Sequence, residues 1–140
     1  ITCLYFYLVM INIVIKLQVE GLHHWPECPI EEVEFLKDIH RHIFHITCKK
    51  QVSHTDRDIE IIQLQHKIRD FLHIKYGSPK HSCCLFGRMS CEDIAKELVK
   101  EFKLLYCEVL EDGENGAEVI NFIPTKEHSQ DPGWIGDHDL

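Results

Sequence analysis

Two stretches of alternating residues decide the fold of this chain: INIVIKLQVE at residues 11–20 and HRHIFHITCKKQV at residues 40–52. In the first stretch, aliphatic side chains occupy every second position and mostly polar side chains lie between them. This pattern predicts a β-strand with one solvent-exposed face. In the second stretch, the residues that share one face are His40, His42, Phe44, Ile46 and Cys48. We therefore predict two strands, the second of which carries two histidines on its apolar face.

Two amphipathic helices and two further strands follow. Apolar residues recur at helical spacing over residues 57–73, and Ser90 opens a capping-box pattern that predicts the start of a second helix. Between the helices, the polar residues 77–89 predict an irregular loop. The last two strands are predicted over residues 104–111 and 117–122, joined by a link that contains Asp-Gly and Asn-Gly dipeptides, which favour hairpin turns.

This β-β-α-α-β-β order predicts an α+β domain over residues 10–122, with a four-stranded antiparallel sheet and two helices on one face. Sheet edges invite pairing with other copies, so we expect a homo-oligomer that forms a ring or barrel. Residues 1–9 are predicted to be an upstream extension before a natural start at Met10, and residues 123–140 a tail without regular structure. The uncharged residues 1–15 are shorter than the ~20 residues of a membrane span, so we expect no membrane association; a membrane-anchoring stub is the alternative.

The composition excludes several classes of protein and of binding partner. With 44% hydrophobic and 27% charged residues, the 140-residue chain has the make-up of one packed domain, which excludes a disordered or low-complexity chain. A net charge of -8 argues against nucleic acid as a partner, although a small anionic ligand in a local pocket is still allowed. The seven cysteines form an odd set without a Cys-x-x-Cys motif, which predicts free thiols in a reducing, cytoplasmic compartment.

Three of the eleven histidines are candidate metal ligands. His40 and His42 project from the same face of a strand, and a hairpin would bring His23, just beyond the first strand, near that face. Three neutral imidazoles with one open position are the ligand set of a catalytic zinc site. Spacing alone leaves two alternatives: His40 and His42 could cap a strand or contact backbone groups, and His24 could take the place of His23.

Four short segments of the chain carry motifs that occur in a fixed order. They are Val19-Glu20-Gly21-Leu22-His23, His40-Arg41-His42-Ile43-Phe44, Ser90-Cys91-Glu92-Asp93-Ile94-Ala95 and Val109-Leu110-Glu111-Asp112. In this order they resemble the motifs of the 6-pyruvoyl-tetrahydropterin synthase and 6-carboxy-tetrahydropterin synthase family. The resemblance covers residues 11–122 and implies the tunnelling fold (T-fold), in which subunits join their sheets into a barrel.

The resemblance also implies an activity and its residues. It implies zinc as the cofactor, bound by His23, His40 and His42, in a lyase that acts on a reduced pterin triphosphate. It implies that Glu111 anchors the ring of a pterin or purine-like ligand, because a carboxylate can accept two parallel N–H bonds from the edge of such a ring. Without the resemblance, Glu111 would be interpreted as an exposed acid beside a hairpin turn.

The chain departs from the family in its catalytic groups. The synthases carry a cysteine a few residues before the His-x-His motif, but residues 34–39 contain no thiol. Cys28 is the nearest cysteine upstream, and if its loop brings it close, Cys28 or His73 is the candidate general base. Asp70 and His73 are the candidates for the family's Asp and His pair, with a solvated pair at a helix end as the alternative. The missing thiol favours a second hypothesis: a catalytically inactive or divergent T-fold protein that binds a purine-like or pterin-like ligand or has a structural assembly role.

Overall fold

In the computed structural model, which describes residues 9–122, six strands form one mixed sheet and three helices accompany it, so the predicted α+β class is confirmed. The strands are β1 (Ile11–His23), β2 (His40–Val52), β3 (Gly77–Ser78), β4 (His81–Gly87), β5 (Tyr106–Glu111) and β6 (Asn115–Ile120). The helices are a 3₁₀ helix (Glu31–Lys37), α1 (Ile61–Tyr76) and α2 (Cys91–Phe102). None of the helices in this part of the chain has the length and apolar character needed to cross a bilayer. The predicted tail and all but the last residue of the predicted extension lie outside the described residues.

The predicted four-stranded antiparallel sheet is wrong, because residues 77–89 contain two strands rather than a loop. The sheet order is β3-β4-β1-β2-β5-β6, and β4 runs parallel to β1, with Gly21 opposite Cys84. The two long helices are therefore separated by β3 and β4. The polar residues of this segment suggest a loop, but Cys83, Cys84 and Phe86 are buried, and free cysteine packs as a small apolar side chain.

β1 and β2 form the predicted antiparallel pair, which runs from Ile11 opposite Val52 to His23 opposite His40. Alternate residues share a face, so the apolar residues of both strands stand side by side. One buried core joins them to the apolar stripes of the two long helices; its members include Ile15, Leu17, Val19, Phe44, Ile46, Cys48, Leu64, Ile68, Leu72, Ile94, Leu98 and Val109. Both helices thus cover the same face of the sheet, as predicted, and the apolar rows end where the histidines begin.

The two long helices begin with different caps. Ser90 starts α2 as predicted, because its hydroxyl accepts the Asp93 N–H at 3.2 Å while the Asp93 carboxylate accepts the Ser90 N–H at 3.1 Å. α1 begins later than predicted, because the Glu60 carboxylate accepts the N–H groups of Ile62 and Gln63. Residues 57–60 therefore precede the helix.

The link between β5 and β6 uses one of its two turn dipeptides. Asp112 and Gly113 adopt φ angles of 56° and 75°, the left-handed conformation that an Asp-Gly turn favours. Asn115 and Gly116 lie in β6 instead, and a Cβ on Gly116 would stand 1.8 Å from the carbonyl oxygen of Val109. The turn places Asp112 beside His42 and Ile43, near the start of β2.

Candidate metal centre

Three histidines meet at the end of the core face of the sheet, where the apolar rows of β1 and β2 stop. His23 is the last residue of β1 and lies opposite His40, the first residue of β2, while His42 lies opposite Gly21. The imidazole centroids are 4.6 to 5.2 Å apart. One ring nitrogen of each histidine lies within 4.8 Å of those of the other two, so the predicted trio can hold a metal ion.

Gly21 makes room for this arrangement. It is buried between aromatic rings, and a Cβ at this position would stand 2.6 Å from the Phe86 ring and 2.9 Å from the Phe44 ring. The Phe44 ring in turn meets the imidazoles of His23 and His42 edge to face, with centroids 5.2 and 5.7 Å away. The histidines are therefore packed against the core on one side.

Each of the three histidines uses Nδ1 to contact an oxygen acceptor. The contacts are His23 with the Met89 carbonyl at 2.9 Å, His40 with the Asp38 carbonyl at 2.7 Å, and His42 with the Asp112 carboxylate at 2.7 Å. A carbonyl or carboxylate oxygen only accepts, so Nδ1 must carry the hydrogen in each ring and Nε2 must carry the lone pair when the ring is neutral. In metal sites, a hydrogen bond from the ring nitrogen that does not bind the metal holds each histidine in its orientation, and these Nδ1 contacts have that arrangement.

Asp112 is held in place from two sides. Its Oδ1 accepts the Ile43 backbone N–H at 2.9 Å, and its Oδ2 accepts from His42. The backbone bond, followed by the bond from His42, lowers the pKa of Asp112 below its ordinary value, so the carboxylate is ionised at neutral pH. An ionised partner fixes the His42 ring and makes its Nε2 a better donor to a metal.

His23 Nε2 is a buried nitrogen without a hydrogen-bond partner among the described residues. Glu111 Oε2 lies 2.9 Å away, but the contact lacks the geometry of a hydrogen bond. Burial lowers the pKa of His23 and outweighs the Met89 hydrogen bond and the Glu111 charge, which raise it, so the ring is neutral at neutral pH. A lone pair and a carboxylate oxygen at this distance repel each other unless a nearby cation attracts both. The residues therefore fit a bound metal, which would take the Nε2 lone pair and attract the charge of Glu111.

A cavity of about 610 Å³ opens beside the histidines. Trp25 and Leu36 line it from the segment between β1 and β2, Glu92 and Asp93 from the first turn of α2, and Glu111 from β5. The volume is in the range of small-molecule sites, which lie between about 300 and 1,000 Å³. The arrangement can thus expose a metal on His23 and His40 to a ligand of one or two rings.

Cys91 is the only thiol that lines this cavity in the described part of the chain. Burial, together with the charges of Glu111 and Glu92 and a hydrogen bond to Glu111, raises the pKa of Cys91 to about 12. The sulfur is therefore protonated at neutral pH and can donate its hydrogen to the Glu111 carboxylate. Cys91 holds the acid in position, and it is not a ready base or nucleophile.

The structure does not bring the predicted catalytic residues to this cavity. Cys28 is buried in its own loop, with its sulfur 3.7 Å from the Ile30 carbonyl oxygen and 3.6 Å from that of Val33. Asp70 and His73 lie on the exposed side of α1, where His73 Nδ1 donates to the Arg69 carbonyl at 2.9 Å. Within one chain, none of these three side chains lines the cavity beside the histidines. The catalytic roles of Cys28, Asp70 and His73 therefore stay predictions.

The sequence indicates one further residue of the site, His24, only weakly, and it does not indicate the contact of Asp112 with His42. His24 lines the cavity, but its Nδ1 contacts the Lys37 carbonyl at 3.2 Å and it is not part of the metal-binding trio. Asp112 follows Glu111 in the motif Val109-Leu110-Glu111-Asp112, yet its contact with His42 depends on the pairing of β5 with β2. A strand-pairing prediction could have found this contact, whereas residue spacing could not.

Comparison with known proteins does not assign the chain to a family. No protein-family model matches the sequence, and no curated protein matches it significantly. The site is therefore interpreted from its own geometry and chemistry.

Proposed function

We propose that this chain binds zinc through Nε2 of His23, His40 and His42 and acts as a lyase on the hydroxylated side chain of a reduced pterin. The observation that carries the proposal is the convergence of three imidazoles whose Nδ1 atoms all contact oxygen acceptors. Three histidines with an open fourth position are typical of catalytic zinc. When bound, zinc would polarise a substrate oxygen and acidify the neighbouring C–H and O–H groups.

The chain's own residues would bind and orient the ligand. Trp25 and Leu36 offer apolar contact to a flat ring, and Glu111 offers a carboxylate to its N–H groups. In the metal-free arrangement, Oε2 of Glu111 faces His23 at 2.9 Å and Oε1 faces His42 at 3.6 Å. To anchor a ring, this carboxylate must turn toward the cavity, and the hydrogen bond from Cys91 would limit how far it turns.

A second candidate function is a metal-dependent binding protein without lyase activity. The observation that favours it is the placement of Cys28, Asp70 and His73 away from the cavity, which leaves proton transfer without a dedicated base in the described part of one chain. The two functions share the metal centre and the ring ligand, and they differ in whether the ligand is converted.

We also propose that the domain is a T-fold that assembles into a homo-oligomeric barrel. Two helices on one face of the sheet support this assignment, as does β6, which forms an edge of the sheet in the described residues 9–122. An open edge presents free N–H and C=O groups to another strand. Light scattering at micromolar protein should give an oligomer, and a monomer would contradict the barrel.

The central test is metal analysis of the purified full chain, followed by incubation with 7,8-dihydroneopterin and with its triphosphate under ultraviolet detection. The proposal expects about one zinc per chain and a change in the pterin spectrum that requires zinc. Zinc and bound ligand without conversion would support the binding protein instead. Absence of stoichiometric metal after reconstitution with zinc would overturn both functions.

A further inference from the structure

We propose that the cavity beside the three histidines selects a ring ligand without phosphates and disfavours the triphosphate ester that the sequence resemblance implies. The inference rests on the proposed function, because it concerns the ligand of the same metal centre. It narrows the substrate class to an unphosphorylated pterin or purine-like compound.

Carboxylates dominate the charged groups that line the cavity. Among the described residues, the acids are Glu92, Asp93 and Glu111, and the only lysine or arginine is Arg88. The Arg88 guanidinium is already paired with the Glu27 carboxylate, at 2.6 Å. A concave site focuses the potential of its walls, so this cavity repels a polyanion.

The cations nearest to His40 along the chain are also paired with acids. Lys37 lies 3.2 Å from the Glu34 carboxylate, and Arg41 forms an ion pair with Glu20. A triphosphate ester carries several negative charges at neutral pH, and each phosphate needs cationic or N–H partners when it leaves water. To bring Lys37 or Arg41 to those phosphates, the chain would have to break these ion pairs.

The N-terminus of α2 does not compensate. Helix N-termini often bind anions through free N–H groups, but here the Ser90 hydroxyl and the Asp93 carboxylate cap the first turn. Glu92 and Asp93 also place two negative charges in the first turn, and these oppose the approach of a phosphate to this helix end. Two N–H groups at this helix end, those of Ser90 and Asp93, are therefore already bonded within the chain.

A neutral ring with N–H donors fits the same surroundings. His23 is 7% exposed, and its Nε2 has no hydrogen-bond partner among the described residues, so a metal would satisfy it. The two positive charges of the metal would offset two of the three lining carboxylates, and because Arg88 is paired with Glu27, the cavity would stay negative toward a phosphate chain. Glu111 can then accept N–H groups of a ring, and Trp25 can cover the ring's apolar face. Neither contact requires a charged ligand.

The test compares two probes on the zinc-loaded full chain: neopterin and neopterin triphosphate, each titrated by isothermal calorimetry. We expect neopterin to bind about tenfold more tightly than its triphosphate at about 20 mM ionic strength, because repulsion between unscreened charges is strong there. The difference should narrow at about 0.3 M salt, where the screening length is shorter. Zinc content is measured after each titration, and inorganic triphosphate serves as the control for metal removal.

A matched pair of variants on α2 assigns the effect to the cavity. Glu92→Lys reverses a charge at the cavity, whereas Glu101→Lys makes the same change nine residues further along the same helix, outside the lining residues. Glu92→Lys should tighten binding of the triphosphate severalfold and leave neopterin nearly unchanged, and Glu101→Lys should alter neither. Circular dichroism checks that both variants fold. If Glu92→Lys does not fold, Glu92→Gln replaces it and should tighten binding of the triphosphate by a smaller factor.

The outcomes separate this inference from the proposed function. Tighter binding of the triphosphate than of neopterin with zinc retained would overturn the inference alone. Equal effects of Glu92→Lys and Glu101→Lys would also overturn it, because the preference would then not arise in the cavity. Binding of neither probe to the zinc-loaded chain would overturn the pterin ligand of the proposed function, and this inference with it.

Discussion

The core face of the sheet has two ends of opposite character, although the same strands build both. Phe44 and His42 are two residues apart on one face of β2, yet Phe44 is fully buried and His42 is partly exposed. The side chains of α1 and α2 cover the apolar end. At the other end, loop segments and the first turn of α2 surround the histidines and leave a cavity. The same pair of strands thus carries core packing at one end and three histidines that could hold a metal ion at the other.

The polar groups at the two ends also differ. The core side chains at the apolar end are aliphatic, aromatic or thiol groups, whereas each histidine at the other end has one ring nitrogen held by an oxygen acceptor. Only the remaining nitrogens are left to bind something else. If this comparison is right, substitutions at the histidine end should change metal binding, and substitutions at the apolar end should change stability.

The largest expected effect is the loss of the metal in His42→Ala. Removing one of three imidazoles leaves two ligands, so zinc should fall from about one per chain to background. Atomic emission on dialysed protein measures the zinc, and circular dichroism should show a folded chain. Global unfolding of the metal-free variant would mean that His42 stabilises the fold rather than the metal.

His45→Ala is the matched control for that experiment. His45 lies on the same strand but on the opposite face, where it approaches Gly113 of the turn rather than the other histidines. The His45→Ala variant should retain the zinc content of the unmodified chain. Equal loss of zinc in both variants would contradict a metal centre confined to one face.

The next largest effect belongs to the apolar end, where Phe44→Ala should lower the free energy of unfolding by about 3–5 kcal/mol. Phe44 is completely buried, and its ring packs against that of Phe86. Urea denaturation of the metal-free protein measures the change. Phe35→Ala, at a phenylalanine that is 66% exposed, should change stability by no more than about 0.5 kcal/mol. Similar losses in the two variants would place Phe44 outside the core.

A smaller effect should come from Asp112→Asn, which keeps the shape of the side chain and removes its charge. Loss of a second partner of a metal-binding histidine weakens metal affinity by about 10–100-fold. Competition with a zinc-sensitive chelating dye measures the affinity. Glu114→Gln neutralises an exposed acid in the same turn and should leave the affinity unchanged. An unchanged affinity in Asp112→Asn would show that the contact with His42 does not support the metal.

The smallest effect should be the pH dependence of the metal-free protein. Burial lowers the folded-state pKa of His23 below its ordinary value of 6.5, so on acidification the unfolded chain binds the proton first. Stability is therefore retained above pH ~6.5 and falls as the pH drops from there toward the folded-state pKa. Thermal unfolding of the metal-free chain between about pH 5 and 7.5 should show this decline.

His23→Gln should flatten this decline, and His66→Gln, at an exposed position of α1, should not. An identical decline in His23→Gln would assign the pH dependence to other groups. Because the effect concerns the protein without metal, it is independent of the zinc experiments above.

The sequence by itself determined most of the local structure. Alternation in residues 11–20 and 40–52 predicted β1 and β2, because side chains on a strand alternate between faces. Ser90 and the Asp112-Gly113 dipeptide predicted the start of α2 and the turn after β5, because each satisfies a backbone requirement within a few residues. The same local rules placed His40 and His42 on one face, but including His23 required an assumed hairpin, and the family resemblance favoured it over the alternatives.

Only the tertiary structure decided what surrounds those histidines. Residue spacing cannot predict that β4 lies parallel beside β1, that Cys91 rather than Cys28 contacts the cavity, or that Asp112 contacts His42 across 70 positions of the chain. These contacts depend on strand register and on where α2 begins relative to the sheet. The spacing of apolar and polar residues predicts local geometry, because it depends on residues that are close in sequence. The hydrogen-bond partners of the histidine rings depend instead on packing between segments that are distant in sequence.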